Sequence, residues 1–294
     1  MRHADCTVTP GMRIAQIAPA AERVAFYLTE ELLRLGHDAT LFANGDPARA
    51  LDRVRPRAHE FDVLHFHLEA PQFRQLDGLA GRTVTTLHGR PDRPGLAPLL
   101  SEFRDMPLAA VSDSQRAALP AANWLATVHH GLPAEICPLN PVAPRGAGRY
   151  LAFLGRETPE DGLERARQIA QRAGIRLRVA ADVGESAKPA YLGNAAALLY
   201  PIERPEPFGL AMIEAMSCGT PVIGWRRGAV PEVIDAGVTG FVVDSVEQAV
   251  AALPAALRLD RTRVRERFEQ RFSARRMARE YLALYRSLGR RAVL

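Results

Sequence analysis

The stretch from Tyr200 to Gly224, YPIERPEPFGLAMIEAMSCGTPVIG, leaves few choices for the fold around it. Ala195 to Ile202 is an apolar run bounded by turn residues and reads as a buried strand. Pro201, Pro205 and Pro207 then exclude both strand and helix, so the chain must turn. From Phe208 the pattern becomes helical, with Leu210, Ile213 and Met216 on one stripe. Gly219 stops that helix, Pro221 keeps it stopped, and Val222-Ile223 opens another strand. The unit is strand, proline-rich loop, short helix, strand.

Two carboxylates mark it. Glu206 lies just before the helix, and Glu214 lies inside it, between Ile213 and Ala215 in a segment otherwise almost free of charge. A helix N-terminus has unpaired N–H groups and a positive dipole end. The amides of Phe208, Gly209 and Leu210 could therefore receive an anion or a sugar hydroxyl. A carboxylate such as Glu214 can accept from two vicinal hydroxyls at once, as a ribose presents them. The bland alternative places Glu206 as a dipole partner and Glu214 on a solvated face.

At this point the sequence resembles a known family. Glu206-Pro-Phe-Gly-Leu-Ala-Met-Ile-Glu214-Ala-Met-Ser-Cys-Gly-Thr-Pro-Val looks like the E-x7-E signature of retaining GT-B glycosyltransferases, specifically glycosyltransferase family 4. Asp62-Val-Leu-His-Phe-His, Thr86-Leu-His-Gly, Tyr150-Leu-Ala-Phe-Leu-Gly-Arg and Gly228-Ala-Val-Pro-Glu232 match the family in order, so the likeness runs through nearly the whole chain, in an unusually short form. The resemblance implies an α/β fold of GT-B architecture. Two Rossmann-like domains with parallel sheets would face each other across a cleft, and a C-terminal helix would cross back to the first. It also implies that Glu206 and His88 contact the hexose of a nucleotide-sugar donor, that Glu214 contacts the nucleotide ribose, and that Arg156 meets the diphosphate. No cofactor and no divalent metal are expected, because arginine and helix N-termini neutralise the phosphates.

At 294 residues the chain is long enough for two compact domains, and 47% apolar residues is ordinary for a globular protein. No run approaches the length of a membrane span, and Cys6, Cys137 and Cys218 are too scattered for a disulfide framework or a zinc cluster. A cytoplasmic protein is the simplest expectation. The net charge of +5 carries no aromatic interleaving or nucleic-acid motif. Arginine, densest in the C-terminal helices, reads as solvated helix faces.

Residues 1–11 are polar and unpatterned and read as a disordered tail. Arg13–Ala18, Ala20–Leu35 and Asp38–Ala43 make a β-α-β unit and hence a parallel sheet. Phe61–His67, Thr83–Gly89, Pro107–Ser112 and Thr127–His130 read as further strands of a first domain, 12–137. His65 and His67 share one strand face but lack a third ligand at useful spacing, which favours structural or pocket-lining roles over a metal. His88 ends a strand, where open α/β sheets form their ligand crevice. A Pro/Gly-rich linker, 138–148, precedes a second, nucleotide-sugar-binding domain at 149–272 and a closing helix at 273–294.

Three pieces depart from the family pattern. The Gly-Gly loop after the first strand is absent, since Ala18-Pro-Ala-Ala-Glu22 runs almost directly into helix. Asp182–Lys188 leaves room for only a reduced second sheet. The lysine that should follow Arg156 by five residues is Asp161. A carboxylate facing a diphosphate would repel it, so Asp161 is expected to turn outward and leave the site one cation short. Lys188, the only lysine, could enter the site from the shortened loop or stay outside it. Two function classes follow: a hexosyltransferase acting on an unidentified acceptor, or a catalytically impaired nucleotide-sugar-binding protein, as a homo-oligomer or as partner to an active subunit.

Overall fold

The structure, a computed structural model, describes residues 11–20, 22–44, 46–68, 80–142, 149–155, 158–180, 183–184 and 186–291. The tail 1–10, Cys6, the linker segment 143–148 and Arg156 lie outside the described residues.

The first half builds a six-stranded, wholly parallel sheet. Its strands are β1 (Arg13–Pro19), β2 (Asp38–Asn44), β3 (Val63–Phe66), β4 (Thr83–Leu87), β5 (Leu108–Ala110) and β6 (Trp124–Thr127), in the order β2-β1-β3-β4-β5-β6. Helices α1 (Arg23–Arg34), α2 (Pro47–Val54), α3 (Leu96–Glu102) and α4 (Asp113–Ala118) connect it. Parallel neighbours force these crossovers, and both sheet faces are then covered. β6 ends at Thr127, where the sequence places a strand at Thr127–His130; its side chains are half-buried and its register shifts between Leu108 and Ala109, as befits an edge.

The second half has five parallel strands, one fewer than the first. They are β7 (Tyr150–Leu154), β8 (Arg176–Ala180), β9 (Ala197–Tyr200), β10 (Val222–Trp225) and β11 (Gly240–Val243), in the order β11-β10-β9-β7-β8. Helices α5 (Leu163–Ala173), α6 (Lys188–Gly193), α7 (Leu210–Ser217), α8 (Val230–Val233), α9 (Val246–Ala256) and α10 (Arg261–Phe272) complete it.

The last helix, α11 (Ala274–Arg291), returns to the first sheet. Met277, Tyr281, Leu284, Tyr285 and Leu288 pack in one buried cluster with Ile14, Val24, Leu28 and Val84. The two passages between the halves meet side by side. The Leu132 amide donates to the Phe272 carbonyl at 2.9 Å, and the Ala274 amide donates to the Leu132 carbonyl at 2.8 Å. The expected GT-B architecture, with its returning helix, is what forms.

Several C-terminal arginines are not on solvated faces, contrary to the sequence reading. Arg261 is buried and donates to the carbonyls of Asn140, Gly193 and Ala195; burial lowers its pKa to about 10. Arg276 donates to the His129 and His130 carbonyls, both at 2.8 Å. Carbonyls left open at loops and helix ends need donors, and these guanidiniums satisfy them.

Candidate functional site

The site forms where strand ends of the second sheet face strand ends of the first. Helix α7 begins two residues later than the periodicity suggests. Gly209, at φ +87°, occupies the cap position in a left-handed conformation that favours glycine. Phe208 therefore lies before the helix, and its ring is buried against His129, His130 and Phe272. The amides of Leu210 and Ala211 remain as the open end of the helix.

Glu214 sits one turn further in and is only 3% exposed. Its Oε1 accepts from Lys188 Nζ at 3.0 Å and from Arg23 Nη2 at 2.8 Å. The first contact brings the lone lysine into the site from the start of α6. The second crosses the cleft from the start of α1. Because no glycine loop intervenes after β1, Arg23 opens the helix directly; Glu22 caps it by accepting from the Val24 amide at 3.1 Å.

Glu206 lies in the loop between β9 and α7. Burial raises its carboxyl above the ordinary range, against the opposing pull of Arg204, whose Nε is 3.5 Å from Oε2. Its backbone is gripped by the Gly228-Ala-Val-Pro-Glu232 segment. The Ala229 amide donates to the Glu206 carbonyl at 3.0 Å, and a Cβ at Gly228 (φ +51°) would come within 2.4 Å of the Glu206 amide nitrogen. Glycine is required there for both reasons.

Between β7, β9 and α7 lies a cavity of about 260 Å³ lined in part by Gly155, Asp161, Lys188, Tyr200, Arg204 and Ala211. Here the sequence reading of Asp161 fails. The residue does not turn outward; it is 4% exposed, accepts from Thr158 Oγ1 at 2.9 Å and is ion-paired with Arg204. A buried carboxylate needs a paired cation, and Arg204, two residues before Glu206, supplies it.

From the first sheet, His88 faces the cleft. Its Nε2 is 2.8 Å from His67 Nδ1, its Nδ1 is 3.8 Å from Glu22 Oε2, and its ring stacks on His130 at 5.1 Å. His130 in turn meets the Phe208 ring edge-on at 4.9 Å, which joins the two halves by aromatic contact. His65 and His67 are buried structural residues. His67 Nε2 is 2.7 Å from Gln16 Oε1, and His65 bridges Thr86 and Tyr285, each at 2.7 Å. Burial depresses the pKa of His65, His67, His88 and His130 alike, so all four are neutral at pH 7.

Glu232 closes the cleft elsewhere. Its carboxylate accepts from the Asp113 and Ser114 amides, at 2.8 and 2.7 Å, and lies 3.1 Å from His129 Nε2. Burial opposes its ionisation, but His129 and the two amides outweigh that and hold it below the ordinary carboxylate range. Among the described residues no three His, Cys, Asp or Glu side chains converge as a metal site, and no helix is long and apolar enough to cross a membrane.

The two acids of the signature therefore each hold a cation that lines the cavity, Lys188 for Glu214 and Arg204 for Glu206, and Arg156 lies outside the described residues. Arg23, Arg204 and Glu22 were not anticipated. Arg204 has a local signal, a charge inside the proline-rich loop; Arg23 is 191 positions from its partner and has none.

Residues 147–273, the second half, match the family described as Glycosyl transferases group 1. Over 47 residues the chain is 47% identical to N-acetyl-alpha-D-glucosaminyl L-malate synthase of Bacillus anthracis, covering 16% of this chain and 12% of that protein. The aligned stretches span about a tenth of the length of the curated relatives. Likeness of structure is broader. AviGT4, a glycosyltransferase involved in Avilamycin A biosynthesis, superposes with a TM-score of 0.72 at 21% identity, covering 94% of this chain and 98% of that one. Anabaena Alr3699/HepE in complex with UDP-glucose gives 0.65 at 15% identity, covering 94% and 100%. The chain has the GT-B fold, and its second half carries the group 1 glycosyltransferase pattern.

Proposed function

We propose that this protein is a retaining hexosyltransferase of the family 4 type, moving a hexose from a nucleotide-diphosphate sugar to an acceptor that the site does not specify. The observation that carries the reading is the α7 unit. Glu214, buried in an apolar helix, and Glu206, half-buried before it, each pair with a cation that lines one cavity, Lys188 and Arg204 respectively, at strand C-termini, where open α/β sheets bind ligands. In this reading Glu214 accepts from the ribose hydroxyls and Glu206 from a hexose hydroxyl. His88 reaches the hexose from the opposite sheet. Departure of the diphosphate needs charge stabilisation in place before the bond breaks. Lys188, the cavity arginine and the Leu210 and Ala211 amides supply it, and no metal or other cofactor is required. HepE, a protein of the same fold, is known bound to UDP-glucose. Cys137 and Cys218, buried and free, fit a reducing, cytoplasmic setting.

A second reading, nucleotide-sugar binding without turnover, draws on Arg23. Its guanidinium occupies the carboxylate that the ribose would use. Both readings are tested by incubating the purified protein with UDP-, ADP- and GDP-hexoses and following the anomeric proton by NMR. Release of nucleoside diphosphate with an α-anomer retained supports transfer; tight binding without turnover supports the second reading. Failure of every donor to bind by calorimetry would sink both.

A further inference from the structure

Replacement of a cation by Asp161 should leave the cavity poorer in positive charge, yet the structure moves a cation instead of deleting one. Asp161 lies just before α5 and Arg204 on the loop after β9, and both line the same cavity. Both carboxylate oxygens of Asp161 are engaged, Oδ2 by Thr158 and Oδ1 by Arg204 Nη1. The guanidinium is further anchored through Nε, 3.5 Å from Glu206. Its Nη2 has no partner among the described residues, although the side chain is 22% exposed and lines the cavity. A planar guanidinium held on two edges presents its remaining N–H groups in a fixed fork, the geometry that suits phosphate oxygens. The other lining cation among the described residues, Lys188, shares its charge with Glu214.

We propose that Arg204 is the diphosphate-binding cation of this cleft and that Asp161 is its positioning residue. The assignment rests on reading the cavity as a nucleotide-diphosphate site. Asp161 aligns Arg204 and, with its own oxygens occupied, presents little bare charge to an incoming phosphate. Arg204 also touches Glu206, so the cation that receives the phosphate is fixed to the residue expected to receive the hexose. The two groups on either side of the scissile bond are thus held by one side chain.

The test is calorimetry of UDP, ADP and GDP, each beside its nucleoside, on wild type and on Arg204→Lys, Arg204→Met, Asp161→Asn and the double variant Asp161→Asn/Arg204→Met. The double variant removes both charges and leaves neither buried alone, which keeps a folded comparison available by circular dichroism. For the diphosphate that wild type binds, Arg204→Met and the double variant should lose tenfold or more in affinity, with nucleoside affinity unchanged. Arg204→Lys should recover part of the loss. Asp161→Asn should weaken the diphosphate several-fold and leave the nucleoside alone, a split that general loosening of the fold would not give. A folded double variant that binds the diphosphate as wild type does overturns the assignment of Arg204. Wild type that binds none of the three overturns the reading of the cavity, and the assignment with it.

Discussion

Acidification should unfold this protein through its first sheet. His65, His67 and His130 are buried, and burial holds each far below its ordinary pKa of 6.5. In the unfolded chain all three take up protons near pH 6.5; in the folded chain they do not. Stability from this source is therefore fully present above pH 6.5 and is lost as pH falls from there towards the depressed folded values. Each histidine contributes a slope of about 1.4 kcal/mol per pH unit, so the three together give about 4 kcal/mol per unit. Glu22, the carboxylate that raises His88, is not among the groups acting on these three histidines. Against a typical total stability of about 5–15 kcal/mol, a slope of this size is a large share of the whole for each unit the pH falls below 6.5. Urea denaturation at pH 8, 7, 6, 5.5 and 5 would measure this, with midpoints flat down to about pH 6.5 and falling steeply below. His67→Gln should reduce the slope by about a third. Equal urea midpoints at pH 7 and 5.5 would refute the reasoning, because the three would then take up protons in the folded state as they do in the unfolded chain.

Four further outcomes are expected. Glu214→Ala removes the acceptor for Lys188 and Arg23, and nucleoside-diphosphate affinity should fall by about 1.5–3 kcal/mol per ribose hydrogen bond lost; unchanged calorimetric affinity would contradict the ribose role. Glu206→Gln should spare affinity for the free nucleoside diphosphate and impair sugar transfer, and equal losses for diphosphate and sugar conjugate would argue against a hexose contact. Gly228→Ala forces a side chain into a left-handed position against the Glu206 backbone, which should cost about 1–3 kcal/mol in thermal unfolding and depress transfer; a neutral effect on both would be inconsistent with that contact. Glu232→Ala removes acceptors for two α4 amides and His129, so small-angle scattering should show a larger radius of gyration, and an unchanged profile would mean that other contacts hold the cleft closed.

What the sequence made legible divides along the range of the interactions. Strands β1, β2 and β9 and helices α1 and α11 follow from local signals in the sequence, and they form within a few residues of where those signals place them. The proline-rich loop before α7 is equally readable. Helices α2, α3 and α4 were missed, because they are short and lie among Arg, Pro and Ser residues that also suit loops. The start of α7 was missed because Gly209 takes a conformation that periodicity does not encode. Asp161 was misread for a different reason. Its partner Arg204 is 43 positions away, and repulsion was reckoned against a ligand without knowing which cation stood beside it. A charge in a pocket is legible only as part of a pair.

The paired crossing at Leu132 and Ser273 has a consequence for how such a chain is made. The second sheet is, in effect, inserted into the first: the polypeptide leaves at Leu132, returns at Ala274, and completes the earlier half last. Gln16, His65 and Thr86 find the hydroxyls of Tyr285 and Tyr281 only after the whole of the intervening sheet has been synthesised. A ribosome adding about 5–20 residues per second therefore exposes an unfinished first half, with its polar pairs open, for several seconds or more while the second half is synthesised, and the second half is complete before α11 is. The nascent chain should become protease-resistant in reverse of its sequence order, the second half first and the half that emerged earlier only when α11 arrives.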